Sequence, residues 1–200
     1  YNNMPTAYFA KMCKAAGLDV EIDTITNGGH RLDEFADPDD EYGAKVHRAL
    51  ANEQYDYVIL QEQSGRPIAK PEGFFDGSRD LAALVAENGA ELWFYQTWGY
   101  KEGYSKLPTH GGTTEDMELM LRAAYDAIAE ELGAKVAHVG IAMYDLHSNK
   151  YVWPSRPFVW IGTPRTFGFR CKSVSFHGSL SHPRERPTFC MQHTPISCFH

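Results

Sequence analysis

Four polar side chains in succession, Gln61, Glu62, Gln63 and Ser64, follow directly on the apolar run Tyr57 to Leu60. A short apolar run bounded by turn signals reads as a buried parallel strand. The space beyond the carboxyl ends of such strands is where open α/β sheets place their ligand chemistry. Two amides and a carboxylate crowded into that space cost desolvation unless they are paired or used. Their donors and acceptors suit recognition of a polar substrate, or stabilisation of a developing oxyanion. A polar loop capping the next element is the plain alternative. Ser64 lacks the Gly-x-Ser-x-Gly elbow that exposes a nucleophilic serine.

Two further strand ends carry chemistry. Asn27-Gly28-Gly29-His30-Arg31-Leu32 leads into a short helical stretch through Asp33, Glu34 and Phe35. Its glycines let the backbone turn sharply and present an N–H to a small anion, although a simple βα turn reads the same way. Gln96-Thr97-Trp98-Gly99-Tyr100 ends another strand on the same edge of the sheet. An aromatic ledge beside a polar pocket suits a sugar or an acyl group, and a buried core Trp is the alternative.

Other clusters read as structure. Asp37-Pro-Asp-Asp-Glu41 lacks the spacing of a calcium loop and reads as a solvated turn capping the helix that follows. His110, His138 and His147 have no ligand-like spacing. Cys190, His193, Cys198 and His200 include no Cys-x-x-Cys pair, so no metal site is assigned. Cys13 reads as a small core residue on a helix face.

The elements that must position these residues alternate. Helical spacing covers Thr6 to Ala16, with Ala7, Tyr8, Phe9, Met12, Ala15 and Ala16 as its apolar positions, and stops at Gly17. Val20 to Ile25 alternates as a strand. Tyr42 to Asn52 reads as a helix, Tyr57 to Leu60 as a strand, Asp80 to Glu87 as a helix and Leu92 to Thr97 as a strand. Thr114 to Leu132 is the strongest helix, capped by Thr113 or Thr114, with Met117, Leu121, Ala124, Ile128 and Leu132 along one face. Lys135 to Val139 is a fourth strand. Helices alternating with strands at this spacing predict a parallel sheet in a three-layer α/β/α sandwich of flavodoxin-like kind.

The 200 residues, 43% hydrophobic and 22% charged, are ordinary globular composition with ample material for a core. A net charge of −7 argues against nucleic acid and anionic membrane surfaces as partners. No apolar run reaches the length of a membrane span. The average conceals a break. Residues 1–149 hold 12 Lys and Arg against 25 Asp and Glu, whereas residues 150–200 hold 7 against 1. The latter also hold six of the eleven prolines and three of the four cysteines, and no helical or strand period persists there. The division is therefore a domain over 1–147 and an atypical basic tail over 148–200.

In order, strand–Gly28-Gly29, strand–Gln61-Glu62-Gln63-Ser64 and strand–Gln96-Thr97-Trp98 resemble the SGNH (GDSL-like) hydrolases. The run Tyr55 to Ser64 is similar, more narrowly, to the bacterial DUF4886 branch, and the resemblance covers Tyr1 to Met143. It implies a serine esterase with no cofactor, acting on an acylated carbohydrate or another small ester by triad and oxyanion-hole chemistry. By resemblance Gly29 supplies a backbone N–H to the oxyanion hole, and Gln63 supplies a side-chain amide where relatives carry Asn. Gln61, Glu62 and Trp98 are then the substrate-binding side chains.

The resemblance also implies parts that this sequence does not carry in frame. Relatives place Gly-Asn-Ser or Gly-Asp-Ser just before a segment resembling Tyr1-Asn-Asn-Met-Pro5, so the first strand and the nucleophile are expected to be missing. They place Asp-x-x-His-Pro-Ser about twenty residues beyond Val139-Gly140, where this chain reads Trp160-Ile-Gly-Thr-Pro-Arg165. Back-translated and read out of phase, that segment begins with Asp and admits His, Pro and Ser. The tail is accordingly read as frameshifted from between about Leu146 and Trp160, with an authentic divergent tail as the alternative. Asp145 and His147 are the in-frame pair nearest the expected position, and His177 and His182 are weaker substitutes. The expectation is an inactive fragment of an esterase, exposed and weakly stable where the first strand is lacking. The rival reading is a non-catalytic carbohydrate-binding module using Gln61, Gln63 and Trp98. A nucleotide-binding reading is disfavoured because no phosphate-cradling glycine loop opens a helix.

Overall fold

The computed structural model describes residues 4–147, and the tail, with its cysteine and histidine cluster and its shifted-frame motif, lies outside the described residues. Three apolar runs form the sheet: β1 (Tyr57–Leu60), β2 (Glu91–Tyr95) and β3 (Lys135–Ala137). All pair in parallel in the order β1-β2-β3, with Leu60 opposite Phe94 and Phe94 opposite Val136. That register puts Leu60, Leu92, Phe94 and Val136 on one face, where they pack into a single core cluster.

The cluster is completed by helices. A turn of π-helix (Met4–Phe9) leads into α1 (Ala10–Ala15), followed by α2 (Leu32–Ala36) and α3 (Glu41–Asn52). Beyond β1 come the short α4 (Arg66–Ala69) and the long α5 (Pro71–Asn88). A single 3₁₀ turn (Leu107–Thr109) precedes α6 (Thr114–Leu132), and α7 (Val139–His147) closes the described chain. Leu32 of α2, Phe74 and Leu81 of α5, Phe94 of β2, and Tyr125 and Ile128 of α6 are fully buried together. Phe74 meets Tyr125 with ring centroids 5.0 Å apart. Burial at roughly 25 cal/mol per Å² of apolar surface makes this cluster the main stabilising contact of the sheet. The chain has the α/β fold with a parallel sheet expected from its alternating elements.

Capping follows the sequence. Asp40 caps α3 by accepting the N–H groups of Tyr42 and Gly43 at 2.8 and 3.0 Å, and Asp37 accepts the Asp39 N–H, so the acidic run is the capping turn expected of it. Thr113 caps α6 through the Asp116 N–H at 3.0 Å. Asn88, at the end of α5, donates to the carbonyls of Leu50 and Glu53 and accepts the Tyr55 N–H, so one amide fixes the approach to β1.

Five elements differ from the sequence reading, among them β2, which ends at Tyr95 and not at Thr97. Residues 20–25 form no strand; a strand exists by its ladder, and none of the described strands pairs with that segment. The Tyr55 hydroxyl does reach Asp23 at 3.2 Å, which holds the segment near the start of β1. The apolar face of the first helix is not sealed, since Tyr8 and Met12 are exposed while Cys13 is buried. Ile59, on the open face of β1, is 47% exposed. Helix α5 begins nine residues before Asp80, because Pro71 occupies its first turn, where a missing N–H costs nothing. The last strand ends at Ala137, and Val139 already opens α7.

Candidate active site

At the carboxyl ends of β1 and β2 lies a cavity of about 110 Å³ lined by Gln61, Ser64, Thr97, Trp98 and Tyr100. Both loops take part because they are tied together: the Thr97 hydroxyl donates to the Ser64 carbonyl at 2.9 Å. Tyr100 backs the cavity from a small apolar cluster of Leu107, Met117 and Leu121. Trp98 stands at the rim, 40% exposed. The Gln61 Oε1 atom is buried and has no hydrogen-bond partner among the described residues. Such a group is costly unless a ligand or water satisfies it.

Glu62 faces inward, away from this cavity, and is fully buried. One carboxylate oxygen accepts the Gln63 N–H at 2.6 Å and the other accepts the Leu32 N–H at 3.4 Å. Arg66 lies 3.6 Å from the second oxygen and pairs with Asp33 at 2.6 Å. The Glu62 backbone N–H donates to the Tyr125 hydroxyl at 3.2 Å. Burial pushes the Glu62 carboxyl up to about 7, against the opposing pull of the two N–H donors and Arg66. Placed with the substrate-binding side chains by sequence, Glu62 is in this geometry a support beneath them.

The glycine loop is a tight turn. The His30 N–H donates to the Asn27 carbonyl at 3.2 Å, and Gly29 has φ of +82°, where an L side chain is strained. Gly28 and Gly29 are exposed, with open space at both Cβ positions. On one side the turn is anchored by His30, whose ring lies 2.9 Å from Asp40 and packs edge-on to Phe35. On the other side it is anchored by the Leu32 N–H on Glu62.

A second buried carboxylate supports the other loop. Glu118 of α6 accepts from the Gln96 amide at 2.5 Å and from the Gly99 N–H at 2.8 Å. Gln96 in turn accepts from His138 Nδ1 at 3.0 Å, and the far nitrogen of His138 lies 3.4 Å from Asp126. Burial raises the Glu118 carboxyl, partly offset by the Gly99 and Gln96 donors. Gly140 fits against this cluster because a Cβ there would strike Glu118, the Thr97 carbonyl and Gln96. The sequence reading did not single out Glu118 or Tyr125. Glu118, Leu121, Tyr125 and Ile128 share one stripe of α6, and an acid within an apolar stripe was the available signal.

Among solved structures, this chain is similar to a protein of Slackia heliotrinireducens assigned as an SGNH hydrolase, at 30% identity. The match covers 77% of this chain and 83% of that one, with a TM-score of 0.62. The chain belongs to the SGNH hydrolases. A DUF4886 family protein from Bacteroides uniformis shares the fold of this SGNH hydrolase at 18% identity and a TM-score of 0.56, over 70% of this chain and 63% of that one. No protein-family model matches the chain, and no curated protein is similar to it.

An SGNH hydrolase needs a serine within reach of a histidine. The Ser64 side chain is exposed at the cavity rim, and among the described residues its hydroxyl makes no hydrogen bond to a histidine. Asp145 and His147 both fall within α7. His177 and His182 lie outside the described residues. Among the described residues no group of three or more His, Cys, Asp or Glu is arranged to hold a metal ion.

Proposed function

We propose that this SGNH hydrolase site is built for serine-dependent hydrolysis of a small ester, with a short acyl chain on a carbohydrate as the substrate class. The observation that carries the reading is the cavity at the ends of β1 and β2, lined by Gln61, Ser64, Thr97 and Tyr100, with Trp98 at its rim. At roughly 30 Å³ per water, a volume of about 110 Å³ takes a few non-hydrogen atoms and no sugar ring. A short acyl group fits inside, and the sugar rests outside on Trp98. Gln61 lines the part of the cavity that takes the acyl group, and the Trp98 face covers the apolar side of the sugar.

In this reading the Gly29 N–H and the Gln63 side-chain amide receive the carbonyl oxygen as it gains charge. Donors fixed in advance act there without reorganisation, and one such donor is worth about 10²–10³ in rate. The serine that attacks and the histidine that takes its proton are not supplied by any described residue. The expectation for the 200-residue chain is binding of such an ester without turnover. Incubation with p-nitrophenyl acetate tests this: tryptophan fluorescence is expected to change saturably, with nitrophenolate release no faster than with a heat-treated control. Saturable release would overturn the inactivity, and an unchanged fluorescence would overturn the ester site.

Exposure of Trp98 beside a polar cavity also favours a second reading, a carbohydrate-binding module without catalysis. It differs in what it recognises: the sugar alone suffices, and the acyl group adds nothing.

A further inference from the structure

We infer that Glu62 is a positioning residue, a buried carboxylate that clasps the Gly29 turn to the Gln63 loop and so sets the distance between the two proposed oxyanion donors. The inference rests on the reading of Gly29 and Gln63 as donors, but its own evidence is geometric. Two segments about thirty residues apart in sequence reach one carboxylate, Gln63 through its own N–H and the glycine turn through Leu32, three residues after Gly29. One oxygen is fixed within its own loop by the Gln63 N–H, and the other reaches across to the glycine turn through Leu32.

The clasp is closed from outside by a second link between the same two segments. Arg66 follows Gln63 by three residues and Asp33 follows Leu32 by one, and their side chains meet at 2.6 Å. Arg66 also lies 3.6 Å from Glu62. From α6, the Tyr125 hydroxyl fixes the Glu62 backbone at 3.2 Å. The charged and titratable groups facing Glu62 are thus Asp33, Arg66 and Tyr125. A carboxylate with no solvent exposure that accepts from two loops is a feature of position, because it offers nothing to a ligand. Protonation would convert one acceptor into a donor and open one side of the clasp.

The test is a pH titration of backbone amides by ¹H–¹⁵N NMR on the full 200-residue chain. The Leu32 and Gln63 amides are expected to move together with one midpoint near 7, and the Gly29 amide to follow them. Glu62→Gln assigns the shared component to this carboxylate. In that variant the shared component is expected to vanish from all three amides, while Gly99, held by Glu118, keeps its wild-type curve. Arg66→Gln gives a second variant should Glu62→Gln fail to fold; it is expected to raise the Leu32 and Gln63 midpoints together. Separate midpoints for Leu32 and Gln63, or a Gly29 amide indifferent to Glu62, would overturn the inference.

Acetate, a carboxylate with an oxygen where the oxyanion would sit, tests the donor reading separately. It is expected to shift the Gly29 N–H and the Gln63 side-chain NH₂, with about tenfold weaker binding in Glu62→Gln. Equal binding in variant and wild type would overturn the positioning role. Acetate that shifts neither group while the amides still titrate together would remove the donor reading and leave the clasp standing.

Discussion

The Glu118 carboxylate accepts the Gly99 N–H at 2.8 Å, which ties the loop that carries Trp98 to the second turn of α6. Glu62 makes the matching tie for the loops of Gly29 and Gln63. The loops after β1 and β2 therefore each rest on a buried acid, and the hydroxyl of Tyr125 lies against the Glu62 N–H. Hydrogen bonds to buried charged groups are the stronger class, and their loss is correspondingly costly.

Glu118→Ala is expected to leave the Gln96 amide and the Gly99 N–H unpaired in a buried place. The cost is about 1–3 kcal/mol per orphaned group, visible as a lowered urea midpoint with an unchanged m-value. A midpoint within error of wild type would mean that the loop is held by something else.

Gly140→Ala is expected to be destabilising by about 1–3 kcal/mol or more, because the new methyl meets backbone and carboxylate at once. Gly28→Ala meets open space and is expected to stay within about 0.5 kcal/mol of wild type. Thermal unfolding of both variants checks the contrast, and equal melting points would refute it.

The buried acids also set a pH dependence. Glu62 takes up its proton more readily folded than unfolded, so the folded state binds more protons between about 4.5 and 7. Stability from this group is therefore present at low pH and lost as pH rises through that window, by about 3 kcal/mol at 1.36 kcal/mol per pH unit. Asp40 runs the other way. The Gly43 and Tyr42 N–H groups hold its carboxyl below the ordinary value, so its contribution is lost on acidification. Chemical denaturation at several pH values is expected to show a decline from pH 5 to 8 that Glu62→Gln flattens. A decline unchanged in that variant would assign the proton to another group.

Much of this architecture could be read from sequence, for identifiable reasons. The run Tyr57 to Leu60 is apolar throughout and sharply bounded, and it became β1 with those bounds. Helix α6 carries its cap, its acids and its stripe within its own residues, and its bounds also matched. Residues 20–25 alternate correctly, but a strand needs a partner that no local pattern supplies. Helix α5 starts at Pro71, nine residues before the stretch read as helical. The site divides in the same way. Gln61, Ser64 and Trp98 meet at one cavity because strand ends converge by topology. The partners of Glu62 and Glu118 lie at long range, 30 residues away for Leu32 and 22 for Gln96, so their burial was invisible locally.

Trp98→Ala is expected to weaken binding of an acetylated sugar by at least about tenfold while leaving the urea midpoint nearly unchanged, since the ring is partly exposed. Calorimetry on both proteins measures the first and denaturation the second. A large stability loss would return Trp98 to a core role.

The most direct test of the ester site compares methyl 6-O-acetylglucoside with methyl glucoside by calorimetry on the same 200-residue chain. An SGNH hydrolase site that seats the acyl group beside Gln61 predicts at least about tenfold tighter binding of the acetylated sugar, with the preference lost in Gln61→Ala. Equal affinity for the two sugars would contradict it and leave a surface that recognises carbohydrate alone.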